Sequence, residues 1–168
     1  MAESNNKNTF RADYELTPVI LKSKDWRDFH EIVRTALFEQ TSEEYDVESV
    51  DTYLPRAAKR TPLLLKFKDQ AVGTIAIDDL GDGRAVIRLV AISNEHQGKG
   101  HGRVLLSLAA EMAKVSGIGE LCVNSHSAKT AFYRNAGFVV YEWGPEELED
   151  WEADGASPLP AQMHLKLA

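Results

Sequence analysis

Gln97-Gly98-Lys99-Gly100-His101-Gly102 stands between an apolar run, Val86 to Ile92, and a segment with helical apolar spacing that begins at Val104. That order predicts a strand, a glycine-rich turn and a helix. The first N–H groups of a helix have no partner within it and lie at the positive end of its dipole, so the turn is an anion site. Its glycines allow backbone angles other residues avoid, and they let a ligand approach without a Cβ in the way. A phosphate-bearing ligand is expected here. The alternative is a glycine-rich turn that merely opens a core helix.

The spacing narrows the choice of ligand. Gly-x-Gly-x-Gly is not the Gly-x-Gly-x-x-Gly of dinucleotide folds, and no acidic residue closes a second strand about 20 residues on. Nor does the stretch end in the Gly-Lys-Ser/Thr of a nucleotide P-loop.

With 168 residues, 43% hydrophobic and 27% charged, the chain is expected to form one globular domain, 12–168, behind a flexible tail, 1–11. No run approaches the roughly 18 apolar residues of a membrane span. The first ten residues are polar and lack the apolar stretch of a secretory signal, and the single Cys122 has no disulfide partner. A cytoplasmic protein with no membrane attachment is expected. A net charge of −7 argues against nucleic acid as a partner. The acidity gathers at Glu142, Glu146, Glu147, Glu149, Asp150, Glu152 and Asp154. That segment is either a solvated acidic face or a rim that attracts a cationic amine. By contrast, Lys99, His101 and Arg103 make the glycine loop locally basic, as an anionic ligand needs.

Along the chain, 13–21 reads as a strand, and Trp26, Phe29, His30, Val33 and Leu37 form a helical stripe with Asp25 as cap or first-turn acid. A second helix is expected from Val47 to Lys59, with Pro55 an interruption. Three strands follow as a meander, turning at Asp69-Gln70 and Gly81-Asp82-Gly83 and ending at Ile92. Leu105, Leu108, Ala109 and Met112 mark a buried helix face that ends near Gly117. A strand at 120–124, a short helix at 128–135, a strand at 138–143, a long acidic connection at 144–160 and a strand at 162–167 complete an α+β order.

Two segments in this order resemble the GNAT superfamily of N-acyltransferases. The first is Leu89-Val90-Ala91-Ile92-Ser93 with the glycine loop. It is similar to the family's strand and Gln/Arg-x-x-Gly-x-Gly/Ala loop, which binds acyl-CoA pyrophosphate. The second is Leu121-Cys122-Val123-Asn124, then Ala128 and Ala131-Phe132-Tyr133-Arg134-Asn135-Ala136-Gly137-Phe138, similar to the family's late strand, short helix and next strand. The resemblance implies a mixed, mostly antiparallel twisted sheet with helices on both faces. It implies acetyl-CoA as cosubstrate, with no metal, and an amine acceptor, either a small molecule or a protein amino group. A homodimer is a habit of the family.

The pyrophosphate would take N–H groups of Gln97, Gly98, Lys99, Gly100, His101, Gly102 and Arg103. The amide-bearing pantetheine arm would pair with Val90, Ala91 and Ile92 as an added strand does, with Asn124 and Phe132 beside it. The Ile92 N–H would steady the oxyanion of a tetrahedral intermediate. Tyr133 matches the family's tyrosine acid. A phenol of pKa about 10 is expected to serve the departing thiolate, whose thiol titrates near 8.5. The base is open. Some members carry a glutamate within the strand before the loop, where this chain has Val86, Ile87 and Arg88, and Glu31, Glu95, His96 and His126 are the candidates. Arg88 would form a salt bridge or hold an acidic group of the acceptor. Buried between Leu121 and Val123, Cys122 reads as a small hydrophobe, not a nucleophile. Ser125-His126 lacks a nucleophile elbow, and the histidines lack metal-ligand spacing. The rival reading is a non-catalytic acyl-CoA sensor on the same fold.

Overall fold

The computed structural model describes residues 11–39, 41, 44–54, 56–57 and 59–168. The tail expected at 1–11 lies outside these except for Arg11, which pairs with Glu111, and Pro55 also lies outside. The elements run β1 (Tyr14–Pro18), α1 (Lys24–Val33), α2 (Val47–Thr52), β2 (Lys59–Phe67), β3 (Gln70–Asp79), β4 (Arg84–Ile92), α3 (His101–Val115), β5 (Glu120–Ser125), α4 (Thr130–Asn135), β6 (Val139–Val140), α5 (Pro145–Ala153) and β7 (Ala161–Lys166). A π-helical stretch, Arg34–Phe38, extends α1.

Local chemistry accounts for the boundaries. Ser23, not Asp25, caps α1 by accepting from the Trp26 N–H at 3.2 Å, and Asp25 serves as first-turn acid. The second helix stops at Thr52, well short of Lys59, because Tyr53 is already extended. The first hairpin turns at Lys68-Asp69, one residue earlier than expected; both have positive φ, and Phe67 pairs with Gln70. The strand expected at 138–143 is only Val139–Val140. The acidic connection contains a helix, α5, opened by Pro145 with Glu146 and Glu147 at its positive end.

The seven strands lie in the order β1-β2-β3-β4-β5-β7-β6. All pairs are antiparallel except β4–β5. That parallel ladder covers only Arg84–Val86 against Glu120–Cys122 and then ends. Beyond it β4 bulges: Leu89 takes φ 54, the register with β3 slips between Thr74 and Ala76, and the Thr74 hydroxyl holds the Leu89 carbonyl at 2.8 Å. An extra residue turns a strand, so β4 and β5 diverge into a V.

Strand alternation sorts the side chains to two faces. Leu63, Leu65, Ile75, Ile87, Leu121, Val123 and Met163 join Leu105, Leu106 and Ala109 of α3 in the main core. On the other face Leu64 and Ala91 pack with Phe29, Ile32 and Val33 of α1. The second face also carries Asp78, Arg88, Asn124 and Gln162, which makes it the polar side of the sheet.

Candidate active site

The glycine loop leaves the open end of the V. Gly98 and Gly100 have φ 77 and 87, and Gly100 is the N-cap of α3, with open space where a Cβ would stand on either. The Gln97 side-chain amide donates to the Ile92 carbonyl at 3.0 Å and to Asn94 Oδ1 at 3.3 Å, fixing the loop against the end of β4. A Cβ on Gly102 would lie 2.8 Å from Phe132 Cε1. The absent side chain is therefore what lets α4 close on the first turn of α3, and it brings the two sequence segments together. Lys99 and Arg103 are exposed. Beside Arg103, a cavity of about 330 Å3 opens between Leu106, Ala110, Ala136 and Phe138.

His101 departs from its expected place. Its ring is buried against Phe67 and joined to the Tyr14 hydroxyl at 2.6 Å, and burial, with His96 and Lys99 nearby, lowers its pKa. Only its backbone remains for an anion. The basic character of the loop rests on Lys99 and Arg103.

Along β4, Ala91 pairs with Thr74 and Ile92 with Gly73. The Ser93 N–H donates to the Val72 carbonyl at 2.9 Å. Antiparallel peptide groups alternate in direction, so the N–H and C=O of Ile92 face away from β3, into the V. The Gln97 bond to the Ile92 carbonyl comes from that side. Val90 lies within the bulge.

Arg88 is tied up in ion pairs. Asp78, fully buried, accepts two bonds from Arg60 at 2.7 Å each and one from Arg88 at 3.0 Å. Arg88 also reaches Glu147 Oε1 at 2.6 Å, and the same oxygen accepts from Asn124 Nδ2 at 3.1 Å. Asn124 Oδ1 in turn accepts from Gln162 at 3.1 Å. The side-chain amide of Asn124 is thus used in crossing the V to α5. Its backbone, not that amide, is what remains for a pantetheine arm. Glu147 is 4% exposed on a helix that is otherwise acidic and solvated. Sequence reasoning missed it, along with Asp78 and Arg60, because nothing in a run of acids marks the one that turns inward.

Tyr133 packs among Phe132, Phe138 and the main core, and burial pushes its phenol up to about 12. Burial therefore favours the neutral phenol over the phenolate. The group fits a hydrogen-bond donor that keeps its proton.

The other candidates lie apart. Glu31 is exposed and paired with Arg34. Glu95 is exposed, His96 bonds the Ser93 hydroxyl at 2.9 Å, and His126 is exposed beside Trp151. Ser125 donates to the His126 carbonyl and not to its ring. The buried Cys122 thiol is pushed up to about 12 by burial and by Glu120, which leaves it inert.

A splayed strand pair, a glycine turn at a helix start and an aromatic closing that turn are arranged as in an acyltransferase fold. Residues 28–152 match the Acetyltransferase (GNAT) domain, and the chain belongs to that family of N-acetyltransferases. No curated protein matches it. Among solved structures, it is similar to N-acetylglutamate synthase from Neisseria gonorrhoeae in complex with coenzyme A and N-acetyl-glutamate, at TM-score 0.71 with 19% identity, over 92% of this chain and 35% of that one.

 The ribosomal-protein-S18-alanine N-acetyltransferase from Escherichia coli superposes at TM-score 0.67 with 14% identity, over 92% of this chain and 94% of that one. A spermidine N-acetyltransferase SpeG chimera from Vibrio cholerae does so at 0.69 with 14% identity, over 92% and 96%.

Proposed function

We propose that this N-acetyltransferase uses acetyl-CoA and passes its acetyl group to a cationic amine. The observation that carries the reading is the junction of Gly100, Ile92 and Phe132. There, outward N–H groups at the start of α3 adjoin the edge of β4 that faces the V. The pyrophosphate takes N–H groups of residues 98–103, Lys99 and Arg103 add charge, and the adenosine end has the cavity beside Arg103. The pantetheine arm lies along Val90, Ala91 and Ile92. Its thioester carbonyl comes to the Ile92 N–H, which steadies the oxyanion as the amine attacks. The N–C bond forms, the C–S bond breaks, and Tyr133 donates a hydrogen bond to the departing sulfur. One amine proton is lost and one is gained by the thiolate, so the exchange balances.

Two acidic walls favour a cation as acceptor. Asp46 and Glu48 stand on and beside α2, and Glu146, Glu149, Asp150 and Glu152 on α5, with Arg56 pairing to Asp150 between them. The acceptors named for the similar proteins include spermidine and a protein alanine. A cytoplasmic location is part of the same proposal, where acetyl-CoA is made and a lone thiol stays reduced.

The test has two readouts. At 100 times its Kd, acetyl-CoA should stabilise the fold by about 2.7 kcal/mol, a Tm rise of roughly 5–10 °C. CoA release should follow on adding spermidine or a short peptide with a free amino terminus. Tyr133→Phe should lower turnover about tenfold and keep the acetyl-CoA shift. A shift without release for any amine identifies the sensor instead, and no shift removes acetyl-CoA from the account.

A further inference from the structure

α1 and α2 hold a second group of joined polar side chains, none of which the proposed transfer has used. His30, on the inner side of α1, is 5% exposed. Its Nε2 lies 2.8 Å from Asp51 Oδ1 on α2, and its Nδ1 is hydrogen-bonded to the Tyr45 hydroxyl. The second Asp51 oxygen accepts from Trp26 Nε1 at 2.9 Å, which fixes the carboxylate. A carboxylate only accepts, so Nε2 carries the proton; in the neutral ring Nδ1 then accepts and the Tyr45 hydroxyl donates. The order is phenol, imidazole, carboxylate, the arrangement in which a hydroxyl can pass its proton inward to a ring held by an acid.

The group stands on the polar side of the sheet, by the part of β4 that opens the V. Tyr45 packs in the cluster that contains Leu89, the bulge residue, and Ala91, the neighbour of Ile92. Its ring also meets Phe38, at the π-helical end of α1. Asn94, just past β4, donates to the Thr35 carbonyl at 3.3 Å and keeps that end of α1 at the exit of β4. α2 is held over the sheet by Arg60, which donates to the Val50 carbonyl at 2.7 Å.

We propose that Tyr45 takes the proton of the attacking amine, with His30 and Asp51 as positioning residues that make it able to do so. The inference rests on the transfer reading above. As the amine nitrogen bonds to the acyl carbon, its proton passes to the Tyr45 oxygen while the Tyr45 proton passes to His30 Nδ1. Asp51 holds the imidazolium, which returns its proton to solvent as the thiolate gains one on release. Burial and the charge of Asp51 push the Tyr45 phenol far up. It does not ionise alone and moves a proton only while giving one to His30. The charged groups facing the relay are Asp51 from α2 and Arg34 from the π-helical stretch after α1, the latter also paired with Glu31.

The experiment follows CoA release from acetyl-CoA with spermidine, with a peptide amine and with water alone, from about pH 5 to 9, which spans the roughly pH 5–8 over which an imidazole titrates. Tyr45→Phe removes one hydroxyl and should lower kcat about 100-fold or more with the acetyl-CoA thermal shift unchanged. Asp51→Asn should move the acidic limb of the kcat profile to lower pH, because the imidazolium loses its partner; a purely structural role would leave that limb in place. Wild-type kcat in Tyr45→Phe, or an unmoved limb in Asp51→Asn, overturns the relay. Acetyl-CoA binding with no release by the wild type under any of the three conditions overturns the transfer reading and the relay with it.

Discussion

Gly100 and Gly102 stand two positions apart, and each excludes a methyl group for a different reason. Gly100 has φ 87 and open space around it, so alanine there meets backbone strain alone, about 1–2 kcal/mol. Gly102 has room only for hydrogen, because a Cβ would stand 2.8 Å from the Phe132 ring and that ring is braced by Tyr133. Gly102→Ala therefore has to push α4 off α3, at a cost of about 1–3 kcal/mol, and should spread the turn proposed to hold the pyrophosphate. Melting curves with and without acetyl-CoA separate the two. Gly102→Ala should lose most of the ligand-induced rise, and Gly100→Ala should lose stability while keeping more of that rise. Equal losses would show that the contact with Phe132 does not shape the site.

At the scale of elements, the polar side of the sheet is held by Asp78, which ties β2, β3 and β4 together through Arg60 and Arg88. Its carboxylate is fully buried, so Asp78→Ala leaves two cationic side chains without their partner and should cost about 3–5 kcal/mol. Urea unfolding would read this as a lower midpoint, and a loss below about 1 kcal/mol would mean that Glu147 and Val50 suffice for the two arginines. Of this network the sequence suggests only an ion pair at Arg88. The strand, loop and helix around residues 86–112 were legible, because apolar period and glycine spacing are local signals. So were the meander and its turns, to within a residue. What the sequence did not disclose depends on tertiary direction. His101 turns inward to Tyr14, Glu147 alone among the α5 acids turns toward Arg88, and His30, one member of an apolar stripe, meets Asp51 and Tyr45 from further along the chain. Burial of a titratable residue by partners 15 or 21 positions away leaves no periodic trace.

For the whole molecule, charge decides how the two substrates arrive. The net charge is −7, yet the glycine loop displays Lys99 and Arg103, while exposed acids stand on α2 and α5. On the proposed reading, acetyl-CoA meets a basic patch on an acidic body, and a cationic amine meets the acidic side. Surface charges act over a Debye length of about 10 Å at 0.1 M salt and about 3 Å at 1 M. Exposed acids on α2 and α5 attract a polyamine mainly through this long-range field. Over that range of salt the KM for spermidine should rise several-fold with kcat little changed, since the buried ion pairs of Arg88 and the relay at His30 are screened far less. Under the same change, a neutral amine acceptor should show a nearly constant KM. Steady-state rates of CoA release at several salt concentrations measure both. A spermidine KM that stays flat or falls would mean that the acceptor does not pass between the acidic walls, and that those acids form only a solvated face.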